Sequence, residues 1–228
     1  MRSVVGVDGC GEGWATVRHS EDGALEVKVI ESLRELAPLP DAIAIDIPIG
    51  LTDSGPRECD VLARGMIGPR GSSVFPAPVR AVLECEDYEL ANARSREVQD
   101  KGITRQTFAI VPKIRSVEDA LLNSERLLEC VFEVHPEVSF AAWNGSPLEH
   151  PKRSGEGAAL RKGLVASFFG RFAFEFAREF LPKSVADDDI LDAFAATWTA
   201  WRIAAGIAES LPTAPRRDSK GLKMAIWY

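Results

Sequence analysis

The chain has 228 residues, 46% hydrophobic and 27% charged, which is the size and composition of one ordinary globular domain. A formal net charge of −7 argues against a general nucleic-acid coat protein, whose surface would be basic. No stretch approaches the run of roughly 18 apolar residues that a membrane span needs, and no secretory signal is evident. The four cysteines and three histidines are scattered, so we expect neither a zinc site nor a disulfide framework. Free cysteines are typical of a reducing compartment, so we expect a cytoplasmic location.

Three short strands are predicted at the start of the chain, over residues 3–9, 14–19 and 25–30. Their β-branched and alternating apolar residues favour strands, and the short glycine-containing links between them predict an antiparallel meander. Asp8 lies near the end of the first strand. Taken alone, it is explained most simply as a hydrogen-bonded turn aspartate, and a metal ligand is the alternative.

A fourth strand is predicted over residues 42–47, after a short helix over residues 32–37 that Ser32 would cap. Because a helical crossover joins it to the first strand, the two strands should be parallel. Asp46 then becomes a second carboxylate at the same sheet edge as Asp8. Parallel strands direct their carboxyl ends toward a ligand crevice, so this coincidence indicates a site.

The next part of the chain is predicted to be a helical and loop insertion, at about residues 54–125, within a single domain spanning 1–228. Ser54 is a candidate cap for a helix beginning at Pro56. Further helices are expected over residues 87–101 and 117–122. On the first helix, basic residues recur along one face and are candidates for binding substrate: Arg57 and Arg64.

The loop after this helix, residues 68–78, carries Arg70, Ser72 and Ser73 among glycines. A guanidinium, two hydroxyls and free backbone N–H groups are suited to binding phosphate. A surface loop with a structural arginine explains the same residues equally well.

A fifth strand is predicted over residues 130–134, followed by His135 and by a helix that Glu137 opens. Glu133 and Glu137 are the two candidates for a third carboxylate, although the helix dipole alone would explain Glu137. Lys152, in the loop that follows, is a candidate substrate-binding residue with His135.

The last long helix begins in a run of acids, with Asp188, Asp189 and Asp192 spaced so that pairs of them share a helix face. A helix cap needs only one acid, and clustered acids repel one another. A divalent cation would relieve that repulsion.

Three separate elements thus offer carboxylates: Asp8, Asp46 and the acids of the last helix. Oxygen ligands of this kind suit Mg²⁺ or Mn²⁺, and two such ions about 4 Å apart can promote phosphodiester hydrolysis. We therefore predict five metal ligands: Asp8, which would bridge the ions, and Asp46, Asp188, Asp189 and Asp192. The candidate catalytic residues are Asp8, Asp46, Glu137, Asp189 and Asp192.

The chain also resembles the DUF429 family, a group described as predicted nucleases with an RNase H-like fold. The resemblance rests on segments spread over nearly the whole chain: Val5–Cys10 with Gly13-Trp14, Ile45–Leu51, Arg57 to Arg64, Ser72–Phe75, His135-Pro136-Glu137 with Phe140, and Asp188-Asp189 with Asp192-Ala193. It implies a mixed α/β sheet, in which an antiparallel three-strand meander is joined by two parallel strands and flanked by helices.

Three functions remain open from the sequence. The first is a metal-dependent nuclease or phosphodiesterase that uses two-metal hydrolysis on nucleic acid. The second is a hydrolase or phosphotransferase acting on a nucleotide or small phosphate, which the acidic composition favours somewhat. The third is a non-catalytic anion-binding domain, which clustered aspartates disfavour. A homodimer is left open, and no membrane partner is expected.

Overall fold

A five-stranded mixed sheet forms the centre of the protein, which the computed structural model describes over residues 1–228. The strands are β1 (Ser3–Cys10), β2 (Gly13–Ser20), β3 (Leu25–Ile30), β4 (Ala42–Ile45) and β5 (Val131–Glu133). Their order is β3-β2-β1-β4-β5, with β1 to β3 antiparallel and with β4 and β5 parallel to β1. This confirms the predicted fold class, a meander extended by two parallel strands and flanked by helices.

Nine α-helices surround the sheet. They are α1 (Glu58–Met66), α2 (Tyr88–Gln99), α3 (Arg105–Ala109), α4 (Val111–Leu122), α5 (Glu125–Cys130), α6 (Pro136–Asn144), α7 (Gly155–Phe169), α8 (Ala173–Phe180) and α9 (Asp187–Ala204). Shorter 3₁₀ turns occupy Leu33–Glu35, Gly68–Ser73 and Arg80–Glu84. None of the helices has both the length and the hydropathy that crossing a membrane requires.

The alternation of side chains along β1 sends its residues to two different layers. Val5 and Val7 belong to the larger hydrophobic core, which they share with β4 and with apolar residues of α2, α4 and α5. Helices α2, α4 and α5 therefore cover one sheet face. Val4 and Gly6 face the opposite layer, which contains α9, and Asp8 follows them in the same alternation.

Helix α9 crosses β1 in very close contact at Gly6. A Cβ atom at this position would lie 2.2 Å from the carbonyl oxygen of Ala193 and 2.2 Å from the backbone nitrogen of Thr197. The Thr197 hydroxyl also donates to the Val17 carbonyl at 3.0 Å, which ties α9 to β2. The N-terminal turns of α9 are thereby held over the end of β1.

Several predicted boundaries differ from the observed ones. Ser32 does cap a turn, but that turn is a single 3₁₀ turn because two prolines follow. The first helix of the insertion begins at Glu58 rather than Pro56, and Ser54 is not its cap. The third predicted helix extends back to Val111.

The C-terminal hairpin was not predicted. It consists of β6 (Ser210–Arg217) and β7 (Lys223–Trp227), which pair antiparallel with an irregularity between Leu211 and Arg216. A parallel bridge between Val134 and Trp227 joins this hairpin to the edge of the main sheet.

Candidate metal centre

Asp8 and Asp46 come together because β1 and β4 are adjacent and parallel. Their pairing runs to Val7 and Ile45, and the Asp46 N–H donates to the Val7 carbonyl at 2.9 Å. The side chains of Asp8 and Asp46 are in hydrogen-bonding contact, and Asp8 is buried. Two carboxylates in contact must share either a proton or a cation.

Helix α9 contributes Asp192 one turn inside its N-terminus, where it is only 4% exposed. Its Oδ2 accepts a hydrogen bond from Lys152 Nζ at 2.7 Å. Its Oδ1 is buried and has no hydrogen-bond partner. A buried carboxylate oxygen without a partner is costly, so this atom is the strongest candidate in the site for binding a cation.

The other two acids of α9 have additional roles. The Asp189 carboxylate accepts from the Ala186 N–H at 3.3 Å and so caps the helix. Asp188 forms ion pairs with Lys152 at 3.3 Å and with the exposed Arg153 at 3.4 Å. We call Asp8, Asp46, Asp189 and Asp192 the carboxylate cluster. Asp188 lies at its outer side.

Burial and mutual repulsion shift the acidities of this cluster. Burial raises the pKa of Asp8, and the charges of Asp46, Asp192 and Asp189 raise it further. Burial also raises the pKa of Asp46 and of Asp189. Burial raises the pKa of Asp192 to about 7 although Lys152 opposes the shift. One ammonium therefore offsets only part of the negative charge.

The donor set fits a hard divalent cation. It consists of carboxylate oxygens from two strand ends and one helix, without histidine or thiolate, and Mg²⁺ and Mn²⁺ prefer such ligands. A bound cation would satisfy both the partnerless Asp192 Oδ1 and the Asp8–Asp46 contact. No three carboxylates of the cluster place oxygens within 4.8 Å of one another, so their side chains would have to move closer together to bind one ion.

Glu137 has a different environment from the one predicted. Its Oε1 accepts from the fully buried Arg161 at 2.6 Å, and its Oε2 accepts from Arg70 Nε at 3.0 Å. Because two guanidinium groups already neutralise it, Glu137 is poorly suited to bind a metal. The structure gives it the role of orienting Arg70.

A cavity of about 430 Å³ opens beside the cluster. Its lining includes Asp46 and Asp192, the predicted substrate residues Arg70, Ser73, His135 and Lys152, and the apolar residues Ile47, Phe75, Ile110 and Ile226. We call it the site cavity. Arg70 bonds only to Glu137, through Nε, so its terminal N–H groups are free to bind an anion.

Arg57 also lines this cavity but has no donor left for a substrate. It is 2% exposed and donates to Asp60, to Glu133 and to the carbonyls of Ile49 and Gly50. The prediction that Arg57 binds substrate is therefore corrected to a structural role. Glu133, which also accepts from the Ile49 N–H at 2.7 Å, is occupied in the same way.

Cys59, Asp60 and Glu133 also place ligand-type atoms within 4.8 Å of one another. The Arg57 guanidinium already contacts both carboxylates of this group. Burial raises the pKa of the Cys59 thiol, which keeps it protonated. This group is consequently an ion-pair network rather than a metal site.

Two predicted substrate residues lie outside the site cavity. Arg64 is exposed and donates to the Val74 carbonyl at 2.8 Å, and Ser72 is exposed on the 3₁₀ turn. In turn, sequence reasoning missed Arg161 and Lys113. Lys113 donates to the carbonyls of Cys10 and Gly13 at 2.8 and 2.7 Å and so holds the turn after Asp8. The contacts of Arg161 with Glu137 and of Lys113 with this turn join residues far apart in the chain, so no local sequence pattern indicates them.

The fold and the site together define an α/β protein with a five-stranded mixed sheet and a candidate oxygen-ligand metal centre at the ends of β1 and β4. The chain belongs to the DUF429 family, because the model of this family, described as a protein of unknown function, matches residues 6–217. No curated protein and no solved structure matches the chain.

Proposed function

We propose that this protein is a Mg²⁺- or Mn²⁺-dependent phosphodiesterase whose substrate is nucleic acid. The observation that carries the proposal is the convergence of Asp8 and Asp46 with the partnerless Oδ1 of Asp192. Two buried carboxylates and one half-buried carboxylate from separate elements are destabilising on their own, and a structural role does not require them.

Asp8, Asp46 and Asp192 would hold the cation, and Asp189 would complete the ligand set. A bound divalent cation would supply an activated water and would stabilise charge on the leaving oxygen. Arg70, which Glu137 orients and which also lines the site cavity, would bind a phosphate oxygen. His135 has a buried Nδ1 without a partner, so it is available to position a water or a substrate oxygen.

Lys152 bears on whether one or two cations bind. It occupies Asp192 Oδ2 and also contacts Asp188, while Asp192 Oδ1 remains free. The first cation can therefore bind with Lys152 in place. The second cation of a two-metal mechanism requires Lys152 to release one of these carboxylates.

Hydrolysis of a free nucleotide or small phosphate is the second candidate. The size of the site cavity favours it, since a volume of about 430 Å³ suits a small ligand. The net charge of −7 agrees, because it offers little attraction to a long polyanion. A purely anion-binding role does not explain the carboxylate cluster.

Calorimetry and cleavage assays on matched variants test the proposal. Asp8→Asn removes a cluster charge, and Asp187→Asn removes a neighbouring exposed acid outside the cluster. We expect Mn²⁺ binding and cleavage of a labelled oligonucleotide to be lost in Asp8→Asn and kept in Asp187→Asn. Equal Mn²⁺ binding by wild type and Asp8→Asn would contradict the metal centre. Hydrolysis of nucleotides with no cleavage of oligonucleotides would favour the second candidate.

A further inference from the structure

Phe75 is a large apolar side chain at the site cavity that packing does not explain. It is 53% exposed, and yet it lines the cavity together with Asp46, Arg70 and His135. Scattered exposed phenylalanines are common, but this one shares a concave space with the carboxylate cluster and a free guanidinium.

The segment that carries Phe75 is held firmly on both sides. On one side, Val74 is buried and its carbonyl accepts from Arg64 Nη1 at 2.8 Å. On the other side, Pro76 restricts the backbone, and the Ala77 N–H donates to Asp60 Oδ2 at 3.0 Å. The ring is thus presented by an anchored segment, and a ligand would pay little conformational entropy to use it.

The chemistry around the ring indicates what it binds. A flat aromatic surface, with apolar Ile47 and Ile110 nearby, is suited to a planar, partly apolar group. Arg70 offers N–H groups to an anion, and the carboxylate cluster is suited to a cation that binds phosphate. A planar group joined to a phosphate is the chemistry of a nucleotide.

We propose that Phe75 stacks on an unpaired nucleobase of the substrate, so that the protein acts on single strands or nucleotides rather than on intact duplexes. A paired base presents only its edge to a protein, whereas stacking requires its face. The inference rests on the proposed function, because the phosphate group of the nucleotide would be bound at the proposed metal centre. The concave shape of the site cavity supports the inference, because a base must leave a duplex to enter a concave site.

Binding and cleavage should be measured separately on one set of variants. The variants are Phe75→Ala, Phe75→Leu and Phe75→Trp, with Phe172→Ala as the control, since Phe172 is 69% exposed and lies outside the site cavity. The ligands are a labelled single-stranded oligonucleotide, the same strand with abasic positions, its duplex, and a nucleoside monophosphate. Fluorescence anisotropy in Ca²⁺ gives affinity, with the unlabelled monophosphate as a competitor, and Mn²⁺ assays give cleavage.

We expect Phe75→Ala to weaken binding of the single strand or of the monophosphate about tenfold or more, and Phe75→Trp to retain it. Phe75→Leu should resemble alanine if stacking matters, and the abasic strand should be insensitive to all three changes. The ligand that shows this pattern identifies whether the base comes from a polymer or a free nucleotide. Phe172→Ala should match wild type.

Three results would overturn the inference: equal affinities of Phe75→Ala and wild type, equal losses on intact and abasic strands, or no binding of either single strand or nucleotide. If the Phe75 variants cleave the oligonucleotide as fast as wild type does, the stacking role of Phe75 is rejected and the proposed nuclease activity is kept. Base-dependent binding that requires Phe75, without any cleavage in Mn²⁺, would keep stacking but reject the nuclease.

Discussion

Without divalent cations, the protein should lose stability as the pH rises from about 4 to about 7, because Asp192 must ionise in a buried position. Its pKa is about 7 in the folded protein against an ordinary value of 3.8. Between these values the folded protein holds a proton that the unfolded chain has released. The free energy of unfolding therefore falls with rising pH in this window and is level above it.

The size of the loss follows from the difference between the two pKa values. A shift of about three units at roughly 1.4 kcal/mol each gives at most about 4 kcal/mol for this group. For a chain of 228 residues, about 4 kcal/mol corresponds to a decrease of roughly 10 °C in the melting temperature.

The assay is thermal unfolding in EDTA between pH 4 and pH 8, on wild type and on Asp192→Asn. Asparagine has the same shape and does not ionise, so this variant should lack the Asp192 component of the slope. Burial lowers the pKa of His19, so this residue makes the free energy of unfolding rise with pH. It does so in both proteins, and the difference between their pH profiles therefore excludes the contribution of His19. Identical pH profiles for the two proteins would refute the reasoning.

A saturating cation should offset much of this loss at pH 8. A ligand at 100 times its Kd stabilises a protein by about 2.7 kcal/mol, which is several degrees for this chain. We expect Mn²⁺ to raise the melting temperature of wild type but not of Asp8→Asn. An equal increase in both proteins would place the cation outside the carboxylate cluster.

Three further variants test the surrounding structure. Gly6→Ala should destabilise the protein by about 3 kcal/mol or more in urea unfolding, because its Cβ would meet the α9 backbone at 2.2 Å, whereas Gly11→Ala has open space and should be neutral. Arg57→Met should cost about 3–5 kcal/mol by leaving Glu133 unpaired, and a neutral result in the same assay would show that the network is dispensable. Lys152→Met should tighten Mn²⁺ binding about tenfold in calorimetry, since the competing ammonium is removed, and weaker binding would show that Lys152 assists the cation instead.

Much of the fold could be predicted because its determinants are local. Period-two alternation and short glycine turns define β1 to β3, and the parallel crossover places β4 beside β1. Because β1 and β4 are adjacent and parallel, Asp8 and Asp46 lie at the same edge of the sheet. The hairpin of β6 and β7 was missed because Pro212 and Pro215 argue against a strand, and here they lie in an irregular stretch of the ladder.

The role of Arg57 could not be predicted, because it depends on a partner 76 residues away. The helical spacing with Asp60 is visible in the sequence, but the contact with Glu133 exists only after β5 has joined the sheet. The same limit applies to Glu137, whose partner Arg161 is 24 residues distant on α7. A charged residue near a site is equally consistent with binding substrate and with supporting another charge, and only the fold distinguishes them.

Lys152 explains how such an acidic centre is compatible with a folded protein before any metal binds. It is the only lysine or arginine that forms an ion pair with Asp192, and about a third of its side chain is exposed on the loop between α6 and α7. The long lysine stem can move its ammonium into solvent without any change in the backbone. A divalent cation would then replace one positive charge with two among carboxylates that one ammonium only partly neutralises. The cluster can therefore form during folding, and the proposed cation would bind afterwards.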